Sequence, residues 1–194
     1  MCQYFAAKNY AGILDEIQLS MGLFCSIKLT CADHPPNFLP DEARAWTSIP
    51  RFFLPEYGTR ALTCAAFEIF VLKRFLSSAP FPSLVVLLSH ELAHIVLETM
   101  RHPLKTEEEA VDLTAMIFGY TDFFVDGSSY ETETPEPRRH LLIRYLRLIG
   151  RGIGICNPPI PRRGVADIGY LTPNEIVFAA VLIRECEANN ILPS

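Results

Sequence analysis

Residues 86–100 read VLLSHELAHIVLETM, and no other stretch constrains the fold as tightly. Val86, Leu87, Leu88, Leu92, Ile95, Val96 and Leu97 demand a buried helix, yet His90, Glu91 and His94 sit among them. Pro82 and Ser83 open this helix, and His102-Pro103 stops it. Burying three titratable groups without partners costs several kcal/mol, so the helix must either satisfy them with a few polar neighbours or give them an ion to hold.

Histidines four residues apart share one helical face, with Cβ atoms about 6 Å from each other. Two imidazoles at that spacing can grip one zinc ion, Zn2+. Glu91 is turned about 100° away from His90 around the axis. It is poorly placed as a ligand but well placed to reach a water on the metal, as in the HExxH arrangement. A catalytic zinc needs a third protein ligand. Glu98 drifts around the helix, His102 lies eight residues past His94, and a HExxHxxGxxH pattern is absent. Glu107, Glu108 and Glu109 remain. Glu108 has Asp112 one turn later on its own face, where Glu107 has Val111 and Glu109 has Leu113. Metal-bound histidines usually donate their second N–H to a carboxylate. Glu108 is therefore expected as third ligand and Asp112 as the carboxylate behind a histidine. The bland alternative is three glutamates starting a helix, where carboxylates suit the dipole.

His90-Glu91-Leu92-Ala93-His94, followed by Glu108-Glu109-Ala110-Val111-Asp112-Leu113-Thr114-Ala115, resembles the gluzincin metallopeptidases. Within that group it is similar to the ImmA/IrrE-like family, and in the zinc helices to the HtpX-like and CAAX prenyl peptidases. The resemblance covers residues 82–120. It departs at Val111, where such families often carry alanine, and from the HtpX-like members in having no membrane span. The resemblance implies a zincin-like α+β domain, with strands near 26–31 and 46–54 bordering the cleft. It also implies a protein or peptide substrate added to a sheet edge, a zinc held by His90, His94 and Glu108, and Glu91 as general base. Tyr170, just before the last helix, is a candidate oxyanion donor, although an ordinary packing tyrosine explains it too; His140 and Arg144 are weaker candidates.

The rest of the 194 residues frames this site. A chain 49% apolar and 20% charged is an ordinary folded protein, expected as one domain over residues 1–194. A helical period spans residues 3–22, with Tyr4, Ile13, Ile17 and Met21 on one side. Ser26–Cys31 alternates as a strand, and Trp46–Leu54 is a second strand broken by Pro50. Periodicity predicts a helix from Thr59 to Leu76. Thr106 is expected to cap the next helix, which runs to about Gly119 or further. Residues 126–137 read as a loop and Arg138–Ile149 as an amphipathic helix. Thr172-Pro173-Asn174-Glu175 forms a capping box for a last helix to about Ala188.

Other functions fit less well. A net charge of −5 opposes nucleic-acid binding, despite the arginines between Arg138 and Arg163. Gly150, Gly152 and Gly154 do not form a dinucleotide motif. No run reaches ~18 apolar residues without a charge, and Lys8, Asp15 and Glu16 break any secretory signal. The six cysteines form no CxxC pair and are expected as reduced thiols in a cytoplasmic protein. A soluble zinc metalloendopeptidase is the leading expectation, and a catalytically silent zinc-stabilised binding or regulatory protein is the alternative.

Overall fold

The long apolar helix forms as its sequence demands, and the rest of the chain is arranged around it. The computed structural model describes residues 1–37, 39–40, 43–50, 54–134, 162–189 and 191. The fold is α+β, and the chain divides into two compact units, one of residues 1–128 with 168–194 and one of residues 129–167.

In the first unit, α1 (Cys2–Ala6) and α2 (Tyr10–Ser20) replace the single expected helix over 3–22. The break falls at Lys8, which takes φ 54°, and Asn9 Oδ1 restarts the helix by accepting the Gly12 N–H at 3.1 Å. Ile13, Ile17 and Met21 are buried, while Tyr4 is 38% exposed. A three-stranded sheet follows, made of β1 (Ser26–Ala32), β2 (Ala45–Ser48) and β3 (Ala66–Leu72), in the order β1-β3-β2. β3 runs parallel to β1 and antiparallel to β2.

β3 corrects the expected helix over Thr59–Leu76: only a 3-10 turn (Arg60–Cys64) and α3 (Lys73–Ser78) flank it. Phe67, Ile69 and Val71 alternate inward and are buried. On the other face Glu68 accepts from Lys28 Nζ at 2.9 Å and Thr30 Oγ1 at 2.5 Å, and Phe70 stacks on Trp46 at 5.2 Å. These are cross-strand neighbours, and such pairs are the unit of sheet stability. The two strands expected to border the cleft are therefore not neighbours but separated by β3, and the expected strand over 46–54 ends at Ser48, before Pro50.

α4 (Phe81–Thr99) packs between this sheet and the remaining helices and is buried along almost its whole circumference. It is long and apolar enough to cross a membrane by length and composition alone, but 78% of that window is buried inside the fold. Met100 closes it and Arg101 turns the chain at φ 53°. α5 (Glu108–Ala115) runs through a π turn (Met116–Tyr120) into α6 (Thr121–Gly127). Thr106 does not cap α5; Glu107 takes that position without a side-chain capping bond. Gly127 lets α6 end against the start of α4, where an added Cβ would lie 2.5 Å from the Pro82 carbonyl carbon, and Ser83 Oγ donates to Gly127 O at 2.8 Å. α7 (Pro173–Ala188) starts with the expected Thr172–Glu175 capping box.

The second unit contains β4 (Ser129–Thr134) paired antiparallel with β5 (Arg162–Asp167). β4 corrects the loop expected over 126–137. The helix expected over Arg138–Ile149, with His140 and Arg144, lies outside the described residues, as do Gly150, Gly152 and Gly154. Among the described residues Cys2, Cys25, Cys31, Cys64 and Cys186 carry free thiols.

Candidate metal centre

α4 and α5 together supply the site, which lies wholly in the first unit. On α4 the four-residue spacing stacks His90 and His94 edge to face, with ring centroids 4.9 Å apart. On α5 the inward face carries Glu108, Asp112 and Ala115 at successive turns, and Asp112 is fully buried. Glu108, in the first turn, directs its Oε2 to 3.3 Å from His90 Nε2 and 3.3 Å from His94 Nε2. These three ligand atoms lie within 4.8 Å of one another.

The chemistry of this trio fits a cation. Glu108 Oε2 is buried and makes no hydrogen bond, an expensive condition for a carboxylate oxygen. Two imidazole lone pairs and a carboxylate converging on one point repel each other unless a positive charge lies between them. Without a metal, that charge has to be a proton. Burial pushes the His90 imidazole down, but the Asp112 and Glu108 carboxylates, with Glu91 nearby, outweigh it and carry His90 up to about 10. The imidazoles of His90 and His94 hold the Glu108 carboxyl down at about 2, against its partial burial.

Asp112 fixes which nitrogen of His90 faces Glu108. Its Oδ1 lies 2.7 Å from His90 Nδ1, and its Oδ2 accepts the backbone N–H groups of Tyr170 at 2.5 Å and Leu171 at 3.1 Å. An ionised carboxylate only accepts, so His90 must carry a proton on Nδ1. With that proton in place, Nε2 is the nitrogen available to an ion. Gly169 takes φ +91°, and a Cβ there would lie 2.9 Å from Asp112 Oδ2; only glycine accepts both conditions easily.

Glu91 stands apart from the trio. Its Oε2 accepts from Thr47 Oγ1 at 2.6 Å, and the same hydroxyl lies 3.2 Å from the Glu91 carbonyl oxygen. Thr47 belongs to β2, one of the two edge strands of the sheet among the described strands. Tyr170 stacks its ring on His90 at 5.6 Å, while remaining half-exposed. Burial, with Glu108 and Glu91 nearby, raises its phenol above the usual range and keeps it protonated.

The structure thus gathers His90, His94, Glu108 and Asp112, with Glu91 and Tyr170 beside them. Sequence reasoning missed Thr47 and the Gly169–Leu171 backbone. The only signal for the latter was a glycine directly before a tyrosine at the head of α7. No family model, curated protein or solved structure matches the chain.

Proposed function

We propose that this chain is a zinc-dependent metallopeptidase of zincin-like architecture, hydrolysing peptide bonds in a protein or peptide substrate. The observation that carries this reading is the convergence of His90 Nε2, His94 Nε2 and the orphaned Glu108 Oε2 on one point, with the Glu91 carboxylate left outside that set. Two histidines and a glutamate are a catalytic zinc donor set that leaves a position open. A zinc ion held there would lower the pKa of a water and polarise the scissile carbonyl.

The chain's own groups do the remaining work. Asp112 keeps the proton of His90 on Nδ1. Thr47 orients Glu91, which takes a proton from the attacking water and returns it to the leaving amine. Tyr170, held over His90 and protonated, is the donor toward the developing oxyanion. The open edge of β2 beside Glu91 suits an extended peptide added as a further strand.

Metal content of protein purified without added metal or chelator tests the first half. About one zinc per chain in wild type, and much less in Glu108→Ala, is expected. Cleavage of a peptide library tests the second half: Glu91→Gln keeps its zinc and loses cleavage. Undiminished cleavage in Glu91→Gln refutes the mechanism, and an inert wild type that retains zinc favours a silent scaffold.

A further inference from the structure

Asp112 is gripped from behind by a segment that belongs to neither metal-binding helix. The chain reaches Ile168, whose N–H bonds to Ser128 O at 2.5 Å. It then turns at Gly169 with φ +91°. That turn aims two successive amides, those of Tyr170 and Leu171, at the same oxygen, Asp112 Oδ2. Paired backbone donors of this kind make a small anion-binding concavity. Here the anion is a side chain of the protein itself.

From this geometry we infer that the Gly169–Leu171 turn is a positioning element for the metal centre, acting through Asp112 on His90. The inference rests on the metal-binding reading of His90, His94 and Glu108. Three observations converge on it. Asp112 is fully buried, so solvent does not compete with the two amides in the closed turn. The amides occupy Oδ2, which leaves Oδ1 alone to face His90 Nδ1 at 2.7 Å. The same turn lays the Tyr170 ring on His90 at 5.6 Å, so the imidazole is held at its edge by Asp112 and on its face by Tyr170. Gly169 is the critical residue, because any Cβ there would be 2.9 Å from Asp112 Oδ2 on a backbone that L-residues rarely adopt.

The turn supplies no atom of the three-ligand set, so its action on the metal is energetic coupling, and coupling is reciprocal. If the closed turn tightens metal binding by some factor, bound metal must hold the turn closed by the same factor. Groups behind a metal-bound histidine typically change affinity by about 10–100-fold, which sets the expected size of both effects.

Two measurements test the inference. In the first, zinc affinity is determined by competition with a chromophoric chelator for wild type and Gly169→Ala, with melting of each chelated protein as a check on folding. Gly169→Ala is expected to bind zinc about 10–100-fold more weakly while still melting cooperatively. The second uses wild type alone and so does not depend on the variant folding. Amide exchange at Tyr170 and Leu171 is followed with zinc and with chelator, and slower exchange in zinc by a comparable factor is expected. Wild-type zinc affinity in a folded Gly169→Ala, or exchange at both amides indifferent to zinc, overturns the inference and leaves the metal centre standing. A wild type that takes up no zinc overturns the metal reading together with it.

Discussion

Asp112→Asn is the sharpest perturbation available, because it changes almost no volume and replaces one accepting oxygen with a donating NH2. The carboxylate oxygens of Asp112 accept from three donors: two backbone amides on Oδ2 and His90 Nδ1–H on Oδ1. Asparagine has one accepting oxygen and one donating nitrogen. If its oxygen stays with the amides, its NH2 faces His90 Nδ1, which must then accept. The His90 proton moves to Nε2, the atom 3.3 Å from Glu108 Oε2, and the nitrogen meant for a metal is blocked. If the asparagine turns over, its NH2 meets the two backbone N–H groups inside a fully buried pocket. The first orientation costs the metal its nitrogen, and the second leaves buried N–H groups unpaired. The expected loss of zinc affinity is about 10–100-fold, or ~1.4–2.7 kcal/mol. Leaving a buried donor unpaired adds about 1–3 kcal/mol of destabilisation to the metal-free protein. Chelator competition reads the first effect and denaturant melts in chelator read the second. An Asp112→Asn protein that binds zinc with wild-type affinity refutes the tautomer argument.

Further outcomes follow from the same geometry. The metal-free cluster has a pH window: His90, raised from 6.5 to about 10, contributes stability that is full below pH 6.5 and lost as pH climbs toward 10. Glu108, lowered from 4.5 to about 2, contributes stability present above pH 4.5 and lost as pH falls toward 2. Chelated protein should therefore gain most from this cluster between pH 4.5 and 6.5, and His90→Gln should flatten the alkaline side of its melting profile. Thr47→Val should keep zinc and lower peptide cleavage by about tenfold, the equivalent of losing one charge-assisted hydrogen bond worth ~1.4 kcal/mol, read as kcat at saturating peptide. Gly127→Ala, which places a Cβ 2.5 Å from the Pro82 backbone, should destabilise by about 1–3 kcal/mol in a thermal melt, with zinc stoichiometry unchanged. Ile69→Ala, at a fully buried position of the central strand, should cost about 2–5 kcal/mol in urea.

What could be read in advance was what depends on helical repetition. His90 with His94, and Glu108 with Asp112, are each one turn apart, and side chains at that spacing converge whatever the rest of the chain does. The capping box at Thr172 is equally local. β3 was not legible, because AAFEIFVL is a short apolar run whose periodicity does not separate strand from helix. Its alternation of Phe67, Ile69 and Val71 becomes visible only with β1 and β2 on either side. Thr47 finds Glu91 across 44 positions, a pairing set by the sheet lying on α4. The grip on Asp112 uses backbone amides, which every residue but proline carries, so side-chain patterns hold no record of it.

The strand order β1-β3-β2 also dictates a sequence of events while the chain is being made. Both neighbours of the central strand are synthesised before it, and they do not pair with each other. Until residues 66–72 leave the ribosome, the two earlier strands have no sheet to join, and their backbone edges stay open. At roughly 5–20 residues per second, the nascent chain spends seconds in that condition. The β1 side must then close a parallel pairing across 40 residues, since Ser26 meets Ala66, and non-local pairing of this kind is intrinsically slow. The delay gives a chaperone that binds exposed strand edges its opening on this protein, before α4 has arrived to cover the sheet.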